Sequence, residues 1–430
     1  MKNKKIFLLF PLLILFTLAF SYFLSNNLKT EVKSEENMYY DITHNPSFPK
    51  VDGTVYDMAL SEDGSILYVG GIFSEIGDLY GTGATYNRSN LAAINTSDYS
   101  VTSWAPITDG EVRSIQVNGD YVYIGGSFNY INEVDVGEFA RVSSQGVLDS
   151  SVCIPNIHSY PDTTTVYDIS ITNDYIYVAG SFDWIIDEVT QVYGLVRLNK
   201  SDCSWDSGFV PVLDGTVYDI ELYDGGIYIG GGFKNIGVTY TGDFAKLNSD
   251  GSVNLNCTPN IHTLEETATV YDISLTDEFI YVGGSFNSIG EGEYNVDGLI
   301  RLYNTNTCSW DNSWVPEVSN GGNRPVIFSI SPVRDDVFVG GSFTSIGGLS
   351  NTEFSLLDGT SGVSLYYWNP EIGGSSLYGT ATVFSSLIKN NIVYVGGSFT
   401  HVFGEGSFGY GLASFSFSYD VVPTIQVNTI

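Results

Sequence analysis

Seven copies of a glycine-centred phrase, set between short β-branched and aromatic runs, predict an all-β chain folded as a seven-bladed β-propeller with four-stranded blades. The phrase ends at Phe73, Phe128, Phe182, Phe233, Phe286, Phe343 and Phe399, at intervals of 55, 54, 51, 53, 57 and 56 residues. Its purest form is YVGGSF. A first run precedes each copy: VYDM from Val55, VRSI from Val112, VYDI from Val166, Val217 and Val270, IFSI from Ile327 and VFSS from Val383. A later run follows a loop: LAAIN from Leu91, FARVS from Phe139, LVRLN from Leu195, FAKLN from Phe244, LIRLY from Leu299, FSLLD from Phe354 and LASFS from Leu412. These are four-to-six-residue stretches with period-two character, bounded by turns such as Glu62–Gly64 and Asn118–Asp120, which is the pattern of strands.

A fourth element pairs an aromatic or apolar residue with a proline: Trp104 with Pro106, Cys153 with Pro155, Phe209 with Pro211, Cys257 with Pro259, Trp314 with Pro316 and Trp368 with Pro370. Proline belongs at strand edges, so this element is expected at the margin of each sheet. Its first copy, Phe48–Pro49, comes before the first run and none follows the last. An N-terminal strand is therefore expected to join the final sheet and close the ring, leaving no free edge. A solenoid would use shorter coils and would need no displaced strand.

Ahead of this array, after Lys2, Lys4 and Lys5, Ile6 to Leu24 is a 19-residue stretch without a charge. That length reaches the range of a membrane-spanning helix, although Pro11 and Ser21 weaken it, and a cleaved signal peptide is the alternative. Residues 1–24 are thus expected to be a hydrophobic leader or anchor helix, 25–40 a polar tether, and 41–430 the propeller. Either form of leader exports the rest. The exported place is the cell surface or the extracellular space, with the membrane as one partner through this segment. Four cysteines, Cys153, Cys203, Cys257 and Cys308, fit an oxidising compartment and show no CxxC metal spacing.

Charge narrows the partners. Lys and Arg number 17 against 49 Asp and Glu, a formal charge of -32, so a basic groove for nucleic acid has almost nothing to be built from. Beyond the first 40 residues the chain carries 12 basic and 46 acidic groups. Such a surface tolerates divalent cations and repels polyanions.

The YVGGSF phrase, followed by GLARLN-like and W-x-P-like segments over roughly 48 to 417, resembles the delta-60 type of bacterial surface repeat and the related kelch-like propellers of cortical marker proteins. The resemblance implies a secreted or anchored propeller without assigned chemistry. A Trp-Asp pair occurs at Trp205–Asp206 and Trp310–Asp311 and not once per repeat, and the full kelch signature is not matched. Fold alone does not transfer function.

Repeats three and five are closer to each other than to the rest, CIPNIHSYPDTTTVYDIS from Cys153 against CTPNIHTLEETATVYDIS from Cys257. A pairing that respects this duplication joins Cys153 to Cys203 and Cys257 to Cys308, each bridge a staple rather than a redox centre. His158 and His262 are equivalent copies far apart in the ring, and with only His44 and His401 besides, zinc chemistry has no ligand set.

Two sets of side chains are candidates for a site. The position after VY gives Asp57, Ser114, Asp168, Asp219, Asp272, Ser329 and Ser385, a series that on an inner strand would ring the central channel and could attract a cation; the alternative is a hydrogen bond from its own blade. The variable loops carry Tyr80, Tyr86, Tyr130, Trp184, Tyr193, Tyr240, Tyr294 and Tyr410, which could stack on sugar rings or fill a protein hot spot, with nearby carboxylates to hold calcium; the alternative is packing at turns. No calcium loop of DxDxDG type, no G-x-S-x-G elbow and no HExxH helix is present. The expectation is an exported module that recognises an extracellular protein or glycan through its loop face, without catalysis. A polysaccharide hydrolase or lyase built on two converging carboxylates, and a structural envelope protein, are the other classes.

Overall fold

The computed structural model describes residues 32–430 apart from 80, 82, 159–163, 186–189, 264–267, 291–293, 366–367, 369, 375–380, 403–410 and 428–430; at 32–41, 158, 190, 295 and 419–427 only the backbone is described. The leader and most of the tether lie outside the described residues. Among the described residues there is no helix, and none therefore long and apolar enough to cross a membrane.

Each repeat forms an antiparallel sheet in the order first run, glycine phrase, later run. The first is Thr54–Leu60, Ile66–Ile72 and Leu91–Asn95. The inner strands of the other six are Glu111–Asn118, Val166–Ile171, Val217–Tyr223, Thr269–Leu275, Val326–Val333 and Val383–Lys389. Each packs on the next in sequence, and Val383–Lys389 packs on Thr54–Leu60. The last sheet has a fourth strand, Val32–His44, beside Leu412–Val427. Here Asn45 donates its backbone N–H to the Ser414 carbonyl (3.0 Å) and its amide to Ser414 Oγ (3.0 Å), and it accepts from Ser416 Oγ (3.2 Å). Among the described residues, 32–41 and 418–427 belong to a unit separate from 42–417.

The expected fourth strand is not a strand in the first six sheets. The segment ahead of each aromatic–proline pair touches the third strand at an isolated bridge, such as Ile94 to Val101, Leu198 to Trp205 or Leu302 to Trp310. Tight turns capped by Asp98, Asp202 and Asp250 bend the chain too sharply for a ladder to extend, and proline withholds the next donor. What the motif does is pack: Trp104 on Tyr68, Phe209 on Tyr177, Trp314 on Tyr281 and Trp368 on Phe338, edge to face at 4.9 to 5.5 Å.

The core lies between sheets. One cluster joins Tyr68 and Leu91 of the first sheet to Val112, Ile115 and Phe128 of the second. Another joins Tyr394 and Leu412 of the last to Val55, Met58 and Leu67 of the first. The seven phrase-ending phenylalanines are all at most 5% exposed. Burying each side chain of this size is worth about 2–3 kcal/mol.

The glycine pair answers to close approach. A Cβ on Gly70 would stand 2.5 Å from Val112 Cγ1 in the next sheet, and one on Gly71 would stand 2.0 Å from the Thr54 carbonyl oxygen. The second contact recurs at the second glycine of every copy, at 2.0 or 2.1 Å, because the inner strand opposite is bulged there.

Candidate functional site

All seven inner strands break register at the same place. Val55 faces Gly71 and Asp57 faces Gly70, so Tyr56 between them has no partner in the ladder. The same bulge occurs at Arg113, Tyr167, Tyr218, Tyr271, Phe328 and Phe384. An extra residue at a bulge leaves the pairing plane and re-aims its side chain. Here these side chains meet one another: Tyr167 on Tyr218 at 4.6 Å, Tyr218 on Tyr271 at 5.0 Å, Tyr271 on Phe328 at 4.7 Å, Phe328 on Phe384 at 5.0 Å and Phe384 on Tyr56 at 5.2 Å between ring centroids. The guanidinium of Arg113 lies 3.7 Å from the centroid of Tyr56 and is paired with Glu111. Six aromatic rings and one arginine thus form a collar.

The collar and the carboxylates of Asp57, Asp168, Asp219 and Asp272 line a cavity of about 200 Å³. Thr54 pairs with Ile72, so the bulges lie at the end of the strands where the middle strand leaves for the variable loop. Cavity and loops share one face.

The sequence-predicted series sits directly beside the collar and bonds to the following repeat, while Asp57 also accepts the N–H of Met58 (2.7 Å) within its own. Asp57 Oδ2 accepts the N–H of Ile115 (2.7 Å), Ser114 Oγ that of Ile169 (3.1 Å), Asp168 Oδ2 that of Ile220 (2.9 Å), Asp219 Oδ2 that of Ile273 (2.8 Å) and Asp272 Oδ2 that of Ile330 (2.8 Å). Ser329 bonds Ser386 through the two hydroxyls (2.6 Å), and Ser385 donates to Asp57 Oδ1 (3.4 Å). Each inner strand is the edge of its sheet, and the neighbour's side chain supplies an acceptor to a backbone N–H just past the bulge.

The carboxylates touch the cavity and are enclosed by protein elsewhere. Burial pushes Asp57 up to about 7, against the lowering N–H donation from Ile115, and Asp168 up to about 6, against Ile220. Asp219 and Asp272 are raised well above the carboxylate range by burial and by neighbouring negative charge, from Asp168 and from Glu221 respectively. Glu221, one turn of the pleat farther along, is raised to about 7 by burial and then by Asp168. Burial with the neighbouring tyrosines also carries Tyr218 to about 12, so its hydroxyl stays neutral.

The loop aromatics are spread over separate small sheets. Tyr86 faces Ile76, Tyr130 faces Asp135, Trp184 faces Gln191, Tyr240 faces Asn235 and Tyr294 faces Ile289. Tyr130, Tyr240 and Tyr294 are exposed, Tyr193 is half-buried, and Tyr294 also packs on Trp310 at 4.8 Å. Tyr80 and Tyr410 lie outside the described residues. Asp109 pins the loop of Tyr130 by accepting the N–H groups of Asn129 and Tyr130, as Asp214 does for Lys234 and Asn235. Among the described residues no three or more His, Cys, Asp or Glu are grouped to hold a metal ion. His262 Nδ1 bonds the Asn260 carbonyl (3.1 Å), and the side chain of His158 is outside the described set.

The bridges are Cys153–Cys203 and Cys257–Cys308, with Cα atoms 5.0 Å apart in each. Cys153 and Cys257 stand where other repeats place Trp104, Phe209 or Trp314, so each cystine fills the slot of the packing aromatic.

No family model matches the chain, and no curated protein does. Among solved structures, the WD40 domain of Neurospora crassa Pan2 is similar at TM-score 0.53 and 11% identity, over 90% of this chain and 98% of that one. The fold is a β-propeller. The WD40 beta propeller domain of Doa1 covers 88% of this chain at 10% identity, and the computationally designed Ika8 protein 86% at 10%, each at TM-score 0.46. At 11% identity the likeness to the Pan2 domain carries the fold and nothing of its partners.

Proposed function

We propose that this propeller is an exported, non-catalytic recognition module of seven blades, closed by its N-terminal strand and related to the surface repeats it resembles, and that it binds a protein partner through the loop face. The observation that carries the reading is the collared cavity opening on the same face as the variable loops. Ligand sites favour concave places lined by aromatic surface and a few fixed polar groups. Two cystines support an oxidising location, and the contact of Val383–Lys389 with Thr54–Leu60, together with the Asn45 bonds, supports closure. The channel carboxylates are tied to backbone N–H groups, which suits a fixed wall more than a proton carrier.

The test is site-specific photo-crosslinking of the full chain on its own cells, with the reactive residue at Tyr130 or Tyr240 on the loop face and at Asp224 on the opposite turn. A discrete protein captured from the first two positions and not from the third is expected. Equal capture from both faces, or none, overturns the reading, and capture of a glycan at the loop positions replaces the protein by the second ligand class.

A further inference from the structure

We propose that the collared cavity is a binding site for an alkylammonium head group, the chemistry of a lysine side chain, a chain-terminal amine or a quaternary amine. The inference deepens the loop-face reading by naming the chemistry its centre would take.

Three observations converge. The first is the wall: Tyr56, Tyr167, Tyr218, Tyr271, Phe328 and Phe384 stand ring to ring about one cavity. An aromatic ring attracts a cation through its quadrupole, and several around one space do so together while keeping the apolar stem of the ligand dry. The second is the charge beside that wall. Four aspartates line the cavity against a single arginine, which already has Glu111 as its partner. Buried together, these carboxyls hold protons toward neutral pH, and a cation entering beside them is offset as they ionise, a compensation that a neutral sugar does not call on. The third is that the collar already holds a cation in one of its seven places. Arg113 stands where the other six repeats carry Tyr or Phe, and its guanidinium rests on the face of Tyr56 at 3.7 Å. The chain itself demonstrates the interaction that a ligand would repeat. The volume, about 200 Å³, accepts a head group and its first methylenes rather than a folded element.

Titration calorimetry of the full chain with choline and with its neutral isostere 3,3-dimethyl-1-butanol tests this. Choline is expected to bind roughly five- to thirtyfold more tightly than the isostere, the span expected for cation–π attraction. Tyr271→Leu should weaken choline by a similar factor, with the melting temperature recorded to separate lost binding from lost fold. Arg113→Gln provides a readout that misfolding cannot imitate: removing the resident cation should tighten choline several-fold. Equal binding of the two isosteres, no saturable heat with choline at concentrations of about ten millimolar, or an Arg113→Gln protein that binds no better than the parent each overturns the assignment. Nα-acetyl-lysine methyl ester and its Nε-acetylated form distinguish the source: preference for the charged lysine over choline assigns a protein side chain, the reverse a free quaternary amine. A partner captured on the loop face that choline neither displaces nor weakens would leave the loop-face reading standing and remove this one.

Discussion

At the scale of single residues, the aspartates beside the collar make stability depend on pH in a definite direction. Their folded pKa values lie above the usual value near 4, about 7 for Asp57 and about 6 for Asp168, with Asp219 and Asp272 raised as well. Between those limits the folded chain holds protons that the unfolded chain has released. Stability from these groups is therefore complete below about pH 4 and falls as pH rises toward 7. Turn carboxylates act oppositely: hydrogen bonds from Ser61 and Ser65 hold Asp63 down to about 2, so its contribution is lost only as pH drops from about 4 toward 2. The melting temperature should peak near pH 4 to 5 and decline by pH 8, and Asp219→Asn should flatten the decline. A melting temperature that rises steadily from pH 5 to pH 8 would contradict the burial of these groups. The Asp and Ser series was legible in the sequence as an inner-strand feature; its bonding to the next repeat was not, because a repeat pattern shows equivalence and not which copy touches which. The tyrosine one place earlier stood in the same VYD phrase and was passed over, since an alternating strand assigns no face to a residue that a bulge removes from the alternation.

At the scale of elements, the blades are tied by arginines on the third strand. Arg301 is bonded to Asp311 Oδ2 (2.5 Å), reaches the Gly359 carbonyl of the following repeat, and lies 3.9 Å from the ring of Phe279. Arg141 and Arg197 repeat the arrangement, with Asp149 and the Lys200 carbonyl, and with Asp206 and the Ser249 carbonyl. The side chains of Arg301 and Asp311 are 5% and 2% exposed, so removing one strands the other. Arg301→Met is expected to cost roughly 3–5 kcal/mol in denaturant titration, whereas Arg301→Met with Asp311→Leu should recover most of that loss. Equal losses in the single and double variants would mean that packing of the arginine stem, and not its charge, is what the site needs. Strand positions were readable from period-two runs, and the cystines from the two-repeat duplication. The fourth strand was misjudged because an aromatic–proline pair marks an edge without saying whether a ladder or a capped turn occupies it.

At the scale of the whole molecule, the first and last repeats meet through a small set of named contacts. A Cβ on Gly396 would fall 2.6 Å from Val55 Cγ1, as one on Gly70 would from Val112, so the last-to-first junction is packed like the internal ones. Asn45 adds side-chain bonds to Ser414 and Ser416 across a separation of some 370 residues. Asn45→Ala should lower global stability by about 1–2 kcal/mol and, in hydrogen exchange, loosen Leu412–Phe417 before any other third strand. Unchanged exchange there would mean that the Asn45 bonds add nothing to the last sheet. The array of seven repeats could be counted from the sequence, and a strand from the N-terminal side was expected beside the last sheet because Phe48–Pro49 precedes the first run and no such pair follows the last; which atoms meet there depended on geometry that no spacing encodes. The bulge described above also bears on inheritance. Because the collar residue is the one member of each inner strand outside the ladder, it can be exchanged without shifting register or exposing core, as Arg113, Phe328 and Phe384 already illustrate among the tyrosines. Seven positions, each free to vary alone, give descendants of such a chain a combination lock that can be reset one tumbler at a time while the casing passes on unaltered.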